Sequence, residues 1–134
     1  MTVDHSPGFL RLVENAKRSV REVSVDDALR RMREAKATLI DVREESEWEA
    51  AHARGSLHLS KGIIERDIEK NVPHLDQEII LYCGGGFRSA LATKALQEMG
   101  YTNVWSLAGG WRAWESGGAP IDKEDEQIIS PPPV

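Results

Sequence analysis

Cys83 is the only cysteine in the 134-residue chain, and Gly84, Gly85 and Gly86 follow it directly. Phe87, Arg88 and Ser89 complete the segment. A thiol acts as a nucleophile through its thiolate, and its neighbours decide what that thiolate meets. Glycines take positive φ without steric cost, so three in a row let the chain curl until its N–H groups converge on one point. Arg88 adds a permanent positive charge close by. These types at this spacing suit a thiolate that handles an anionic substrate. The plainer reading is a small buried hydrophobe beside a flexible loop. The phosphate-binding reading of the glycines is weaker, because no Gly-Lys-Ser/Thr ending and no Gly-x-Gly-x-x-Gly is present.

The flanking elements favour the chemical reading. Ile79-Ile80-Leu81-Tyr82 is a short apolar, β-favouring run that ends on Cys83. Beyond the loop, Leu91, Ala92, Ala95, Leu96 and Met99 recur at helical spacing, with Gly100 where a C-terminal cap belongs. Strand, tight loop and helix would place the thiol at a strand's carboxyl end. The first N–H groups of the helix are unpaired there, and its dipole presents a positive end to the same point.

The rest of the chain supplies a scaffold of alternating strands and helices. Ser6 and Pro7 read as the cap and first residue of a helix with the apolar stripe Phe9, Val13, Ala16 and Val20. Its basic residues, Arg11, Lys17, Arg18 and Arg21, read as a solvated face. Val23 belongs to a first short strand. Ser24 and Asp27 resemble a capping box for a helix carrying Val25, Ala28, Leu29 and Met32. Residues 37–43 read as a buried strand ending in charge, and Leu57-His58-Leu59 as a short one. Ser60 then caps a helix with Ile63, Ile64 and Ile68 inward, closed by Pro73. Val104-Trp105-Ser106-Leu107 is the last strand expected, followed by a Gly109-Gly110 turn into a closing helix where Trp111 and Trp114 act as packing anchors. Alternation of this kind predicts an α/β domain whose central parallel β-sheet is flanked by helices on both faces.

Composition narrows the functional classes. A net charge of -5 argues against nucleic-acid binding. No apolar run approaches the ~20 residues of a membrane span, and no signal-peptide core is present at the start. One cysteine forms no internal disulfide, so a reducing, cytoplasmic setting is expected. Four scattered histidines and no second thiol give no structural zinc site.

Several stretches resemble the rhodanese family of sulfurtransferases. Cys83 to Arg88 is similar to the family's six-residue active loop. Asp41-Val42-Arg43 matches its Asp-Val-Arg stretch, and Glu47-Trp48 its acidic-aromatic pair. Gly109-Gly110-Trp111 resembles its Gly-Gly-Trp signature. His52 and Gly55 match parts of a further segment, in which Ala51, Ala53, Arg54 and Ser56 depart from the family pattern. The resemblance implies an N-terminal, mostly helical extension over residues 1–19, a rhodanese-like domain over 20–121, and a loose acidic and proline-rich tail over 122–134.

It also implies chemistry. Cys83 would be catalytic, carrying a sulfane sulfur as a persulfide from thiosulfate or a related small anionic donor to a thiol or protein-thiol acceptor. Gly84, Gly85, Gly86, Phe87, Arg88 and Ser89 would form the substrate-binding loop. Asp41, Arg43 and His52 would support it, the first two as a structural ion pair or cap and His52 through hydrogen bonds. No metal, cofactor, nucleic acid or membrane is implied. Gly84 stands where mercaptopyruvate enzymes carry glycine, whereas Arg88 departs from their usual threonine, so thiosulfate or a small persulfide is the expected donor. Two alternatives remain. One is a non-catalytic rhodanese-like binding or sulfur-sensing module. The other is a cysteine-loop phosphatase or arsenate reductase, although related dual-specificity phosphatases place one more residue between cysteine and arginine than the four found here.

Overall fold

The computed structural model describes residues 5–123. Five strands form one parallel sheet in the order β1-β6-β5-β2-β4. They are β1 (Arg21–Val23), β2 (Thr38–Asp41), β4 (Leu57–His58), β5 (Ile79–Tyr82) and β6 (Val104–Leu107). Strand β5 is central, and all four of its residues are buried. This explains its continuous apolar run, since a parallel strand covered on both faces has no polar side to show.

Alternation along β5 divides the core in two. Ile79, Leu81 and Cys83 join Ile40, Ile64, Ile68, Ala92 and Leu96, contributed in part by α4 (Ile64–Asn71) and α5 (Phe87–Glu98). Ile80 and Tyr82 face the other way, against Ala28 of α2 (Val25–Glu34) and Trp114 of α6 (Gly110–Ser116). Helices therefore cover both faces, as the alternating pattern predicts. Helix α1 (Pro7–Lys17) packs against α5 through a third cluster of Ala16, Val20, Ala90 and Leu91. Helix α3 (Glu45–Ala50) leads into β3 (Ala51–Ala53), which pairs antiparallel with β7 (Ile121–Lys123). Among the described residues, no helix is long and apolar enough to cross a membrane.

Three local details differ from the sequence reading. Asp122 and Lys123, assigned to a loose tail, belong to β7 and pair with His52 and Ala51; residues 124–134 of that tail, like residues 1–4, lie outside the described residues. Ser24 accepts the Asp27 N–H at 3.1 Å, but the Asp27 carboxylate turns to Arg30 and Arg31 instead of closing a capping box. Helix α4 starts at Ile64 with no side-chain cap, and Ser60 offers only its carbonyl, to the Ile63 N–H at 3.0 Å.

The topology fixes where a site belongs. From the adjacent central strands β5 and β2 the sheet extends in opposite directions, to β6 and β1 on one side and to β4 on the other. In open α/β sheets such a switch point, at the carboxyl ends of the strands, is where loops diverge and leave a crevice. Cys83 follows β5 there, and Arg43 follows β2.

Candidate active site

Cys83 is 1% exposed and sits at the base of an open cleft of about 700 Å³. Past it the chain reverses at Gly86, whose φ of 98° only glycine adopts without strain. The reversal brings the Gly86 N–H to 3.1 Å from Cys83 Sγ, so one backbone donor points at the sulfur. Ser89, in the first turn of α5, places its hydroxyl 3.5 Å from the same atom. Ser106 of β6 lies 2.8 Å behind Ser89 Oγ, and both serines are fully buried.

The closing turn of the chain holds this loop from outside. The N–H groups of Trp111 and Arg112 donate to the carbonyls of Cys83 and Gly84, at 2.6 and 3.1 Å. Because a trans peptide directs its C=O and N–H oppositely, the Gly84 and Gly85 N–H groups point away from α6. The contact requires close approach: a Cβ at Gly110, where φ is 55°, would lie 2.4 Å from the Cys83 carbonyl oxygen. A Cβ at Gly109, where φ is 76°, would lie 2.7 Å from that of Ala113. Gly110→Ala is therefore expected to cost about 2–3 kcal/mol through overpacking and to displace α6 from the loop. Gly62→Ala, where nothing lies within 4 Å, is expected to stay within ~0.5 kcal/mol of the parent. Chemical denaturation of the two variants measures the difference, and equal midpoints would remove this account of the Gly-Gly turn.

A buried ion pair builds the adjoining wall. Asp41 is fully buried and accepts from Arg43 Nε at 3.0 Å, Arg43 Nη2 at 2.8 Å and the Arg43 N–H at 2.8 Å. The Tyr82 hydroxyl donates to Asp41 Oδ2 at 2.6 Å and accepts the Ala53 N–H at 3.0 Å. Burial, reinforced by the Asp41 carboxylate, pushes the Tyr82 hydroxyl well up, so it remains a donor. Arg43 Nη2 also donates to the Ala51 carbonyl at 2.6 Å, and the guanidinium lies 4.6 Å over the Trp111 ring. Both Asp41 oxygens and the Arg43 Nε and Nη2 groups thus have partners, as a buried pair requires.

The rim carries charge. Arg88 Nη1 lies 3.3 Å from Glu47 Oε1, and Glu47 also accepts the Glu44 N–H at 2.9 Å. Burial opposes the Glu47 charge, but the Glu44 N–H and Arg88 outweigh it and hold this carboxyl below the usual carboxylate range. Among the described residues, Arg43, Arg88 and Arg112 stand against Asp41 and Glu47, a net positive balance that favours anions.

Of the residues singled out from sequence, Cys83, Gly84, Gly85, Phe87, Arg88 and Arg43 line the cleft. Gly86 and Ser89 touch the sulfur from behind, and Asp41 lies beneath Arg43. His52 does not line it. Its ring stacks on Trp48 at 3.5 Å, Nδ1 lies 2.8 Å from the Trp48 carbonyl, and Nε2 is 3.9 Å from Asp122 of β7. Sequence reasoning missed four lining residues as members of the site: His5, Phe9, Glu47 and Arg112. It also cast Trp111 only as an anchor; Trp111 does pack on the core beside the fully buried Trp114, and it forms part of the cleft wall as well. The Trp-Arg pair after the double glycine was the available signal for two of these residues.

Comparison with known proteins gives concordant results. Residues 24–117 match the family described as Rhodanese-like domain. The thiosulfate sulfurtransferase GlpE of Vibrio cholerae serotype O1 is 29% identical over 100 residues, spanning 75% of this chain and 92% of that protein. The polysulfide-sulfur transferase homodimer of Wolinella succinogenes superimposes with a TM-score of 0.74 and 28% identity, over 86% of this chain and 87% of its own. A Rhodopseudomonas palustris protein of unknown function, described as a possible tyrosine phosphatase, gives 0.75 and 27% over 91% and 99% of the two chains.

Proposed function

This chain belongs to the rhodanese-like domain family, a family that includes sulfurtransferases, and from that membership we propose that it moves a sulfane sulfur from thiosulfate or a related small anionic donor through a persulfide on Cys83. The observation that carries the proposal is the Gly86 N–H directed at Sγ from 3.1 Å, at the base of a cleft lined by Arg43, Arg88 and Arg112. A donor anion is drawn into that field, and a sulfur anion formed at Cys83 meets a donor already in place.

The reaction runs in two displacements. The Cys83 thiolate attacks the outer sulfur of thiosulfate; a new S–S bond forms, the donor's S–S bond breaks, and sulfite leaves with its electron pair. A thiol or protein-thiol acceptor, as thiolate, then attacks the terminal sulfur of the persulfide and regenerates the Cys83 thiolate. The two half-reactions predict ping-pong kinetics. In this scheme the Gly84–Gly86 backbone and the Ser89 hydroxyl hold the sulfur, and Arg88 orients the anionic donor. Phe87 shapes the entrance. Asp41 positions Arg43, and His52 acts at a distance by tying α3 to β3. A reduced Cys83 is required, so a reducing, cytoplasmic setting belongs to the proposal.

Brief exposure to thiosulfate, with no acceptor, is expected to leave the protein one sulfur atom heavier by intact mass spectrometry. The added atom is expected to map to Cys83, survive desalting and leave on addition of cyanide or a thiol. A module that only senses sulfur would load but release slowly. A phosphatase, as the description of the R. palustris relative suggests for that protein, would hydrolyse an aryl phosphate and gain no mass. No gain from thiosulfate, mercaptopyruvate or a small persulfide would defeat the relay.

A further inference from the structure

We propose that helix α1, which lies outside the family-matched residues 24–117, is a specificity element of the cleft: His5 and Phe9, set against Phe87, form an aromatic wall that selects sulfur donors with a flat apolar body. This rests on the sulfur-transfer reading and adds a substrate class to it.

The wall is built by docking. Val13 and Ala16 of α1 are buried, and Ala16 packs with Val20 against Ala90 and Leu91. Phe9 stands one helical turn before Val13 on the same face. The contact that seats α1 on α5 therefore carries the Phe9 ring to the cleft rim. The ring centroids of Phe9 and Phe87 are 6.2 Å apart, those of His5 and Phe87 4.8 Å, and those of His5 and Phe9 5.2 Å. All three separations fall in the range of favourable aromatic pairs. Lys17, also on α1, sets its ammonium 5.3 Å over the Phe87 ring. Phe87 opens α5 and belongs to the Cys83 loop, so α1 clasps the loop's own side chain.

The size and character of the cleft indicate what the wall is for. A volume of about 700 Å³ is that of a site for a drug-sized ligand, far more than a small inorganic anion fills. His5, Phe9 and Phe87 line it with apolar and aromatic surface, while Arg88 and Arg112 line it with positive charge. A compound with an anionic sulfur group and an aryl body matches both. For an aryl thiosulfonate the chemistry balances as it does for thiosulfate. The Cys83 thiolate attacks the outer, sulfane sulfur; the donor's S–S bond breaks, and an aryl sulfinate leaves with the electron pair.

The test uses the full chain with three donors: benzenethiosulfonate, methanethiosulfonate and thiosulfate. Phe9→Ala is expected to lower kcat/KM for benzenethiosulfonate about fivefold, chiefly through KM, the scale of one lost aromatic pair. The losses with the other two donors should be clearly smaller, because neither carries an aryl body to meet the Phe9 ring. Phe9→Leu preserves the apolar bulk that seats α1 and is expected to lose the same aryl preference, which keeps the test decisive if the alanine variant loosens the helix. Leu12→Ala, at a 60% exposed position of the same helix, is expected to change nothing. Equal losses with all three donors in Phe9→Leu, or an unchanged aryl donor, would overturn the wall while leaving sulfur transfer intact. Absence of transfer from every donor in the parent protein would overturn the sulfur-transfer reading itself, and the wall with it.

Discussion

Cys83→Ser is expected to abolish sulfur transfer, with kcat/KM falling by roughly four orders of magnitude or more, the scale on which loss of a nucleophile acts when no other group replaces it. The chain contains no second thiol that could take over the covalent step. A hydroxyl at the same place forms no persulfide, so both half-reactions stop. The fold is expected to survive, because the new oxygen would not be stranded. The Gly86 N–H and the Ser89 hydroxyl already surround the Sγ position at 3.1 and 3.5 Å, and a buried hydroxyl with partners costs little. The variant should give a native circular dichroism spectrum, a melting temperature within a few degrees of the parent, and no mass gain on exposure to thiosulfate. Transfer at a comparable rate in this variant would remove Cys83 from the mechanism, whatever else the loop does.

How much of this was legible in the sequence depends on the range of the interactions involved. Strand β5 and helix α5 were legible because their signals are local: four consecutive apolar residues buried on both faces, then a 12-residue helix whose start is set by Gly86. The Cys83 loop was legible as types and spacing. Its outer support was not, because the need for Gly110 arises only when α6 meets the Cys83 carbonyl, a contact between distant segments. Strand β7 escaped for a similar reason. Ile121-Asp122-Lys123 has no strand pattern of its own and acquires one by pairing with β3, some 70 residues earlier in the chain. The Arg88–Glu47 pair joins positions 41 apart, and the approach of Phe9 to Phe87 depends on how α1 seats on α5. Local element and loop signals were readable, and side-chain pairing across elements was not.

Asp41→Asn is expected to be the most destabilising single change near the site, by about 3–5 kcal/mol, the cost of breaking a buried ion pair and leaving one charge without its partner. Asp41 is fully buried and Arg43 is 4% exposed, so water cannot replace the lost interaction. Asparagine keeps the shape but fails chemically. Both carboxylate oxygens accept hydrogen bonds, Oδ1 from the Arg43 N–H and Nε and Oδ2 from Arg43 Nη2 and the Tyr82 hydroxyl. An amide nitrogen in either position would face donors with a donor. The effect should reach the cleft, since Arg43 lies 4.6 Å over Trp111 and the Trp111 N–H holds the Cys83 carbonyl at 2.6 Å. Transfer activity per folded molecule is therefore expected to fall as well. Removing both charges should hurt less than the two single changes together, because Asp41→Asn with Arg43→Met leaves no uncompensated ion in the core. A double-mutant cycle by chemical denaturation measures that coupling, expected at about 1–3 kcal/mol for residues in direct contact. Additive losses across the cycle would mean that the two side chains act separately, and that the wall beside Cys83 does not depend on their pairing.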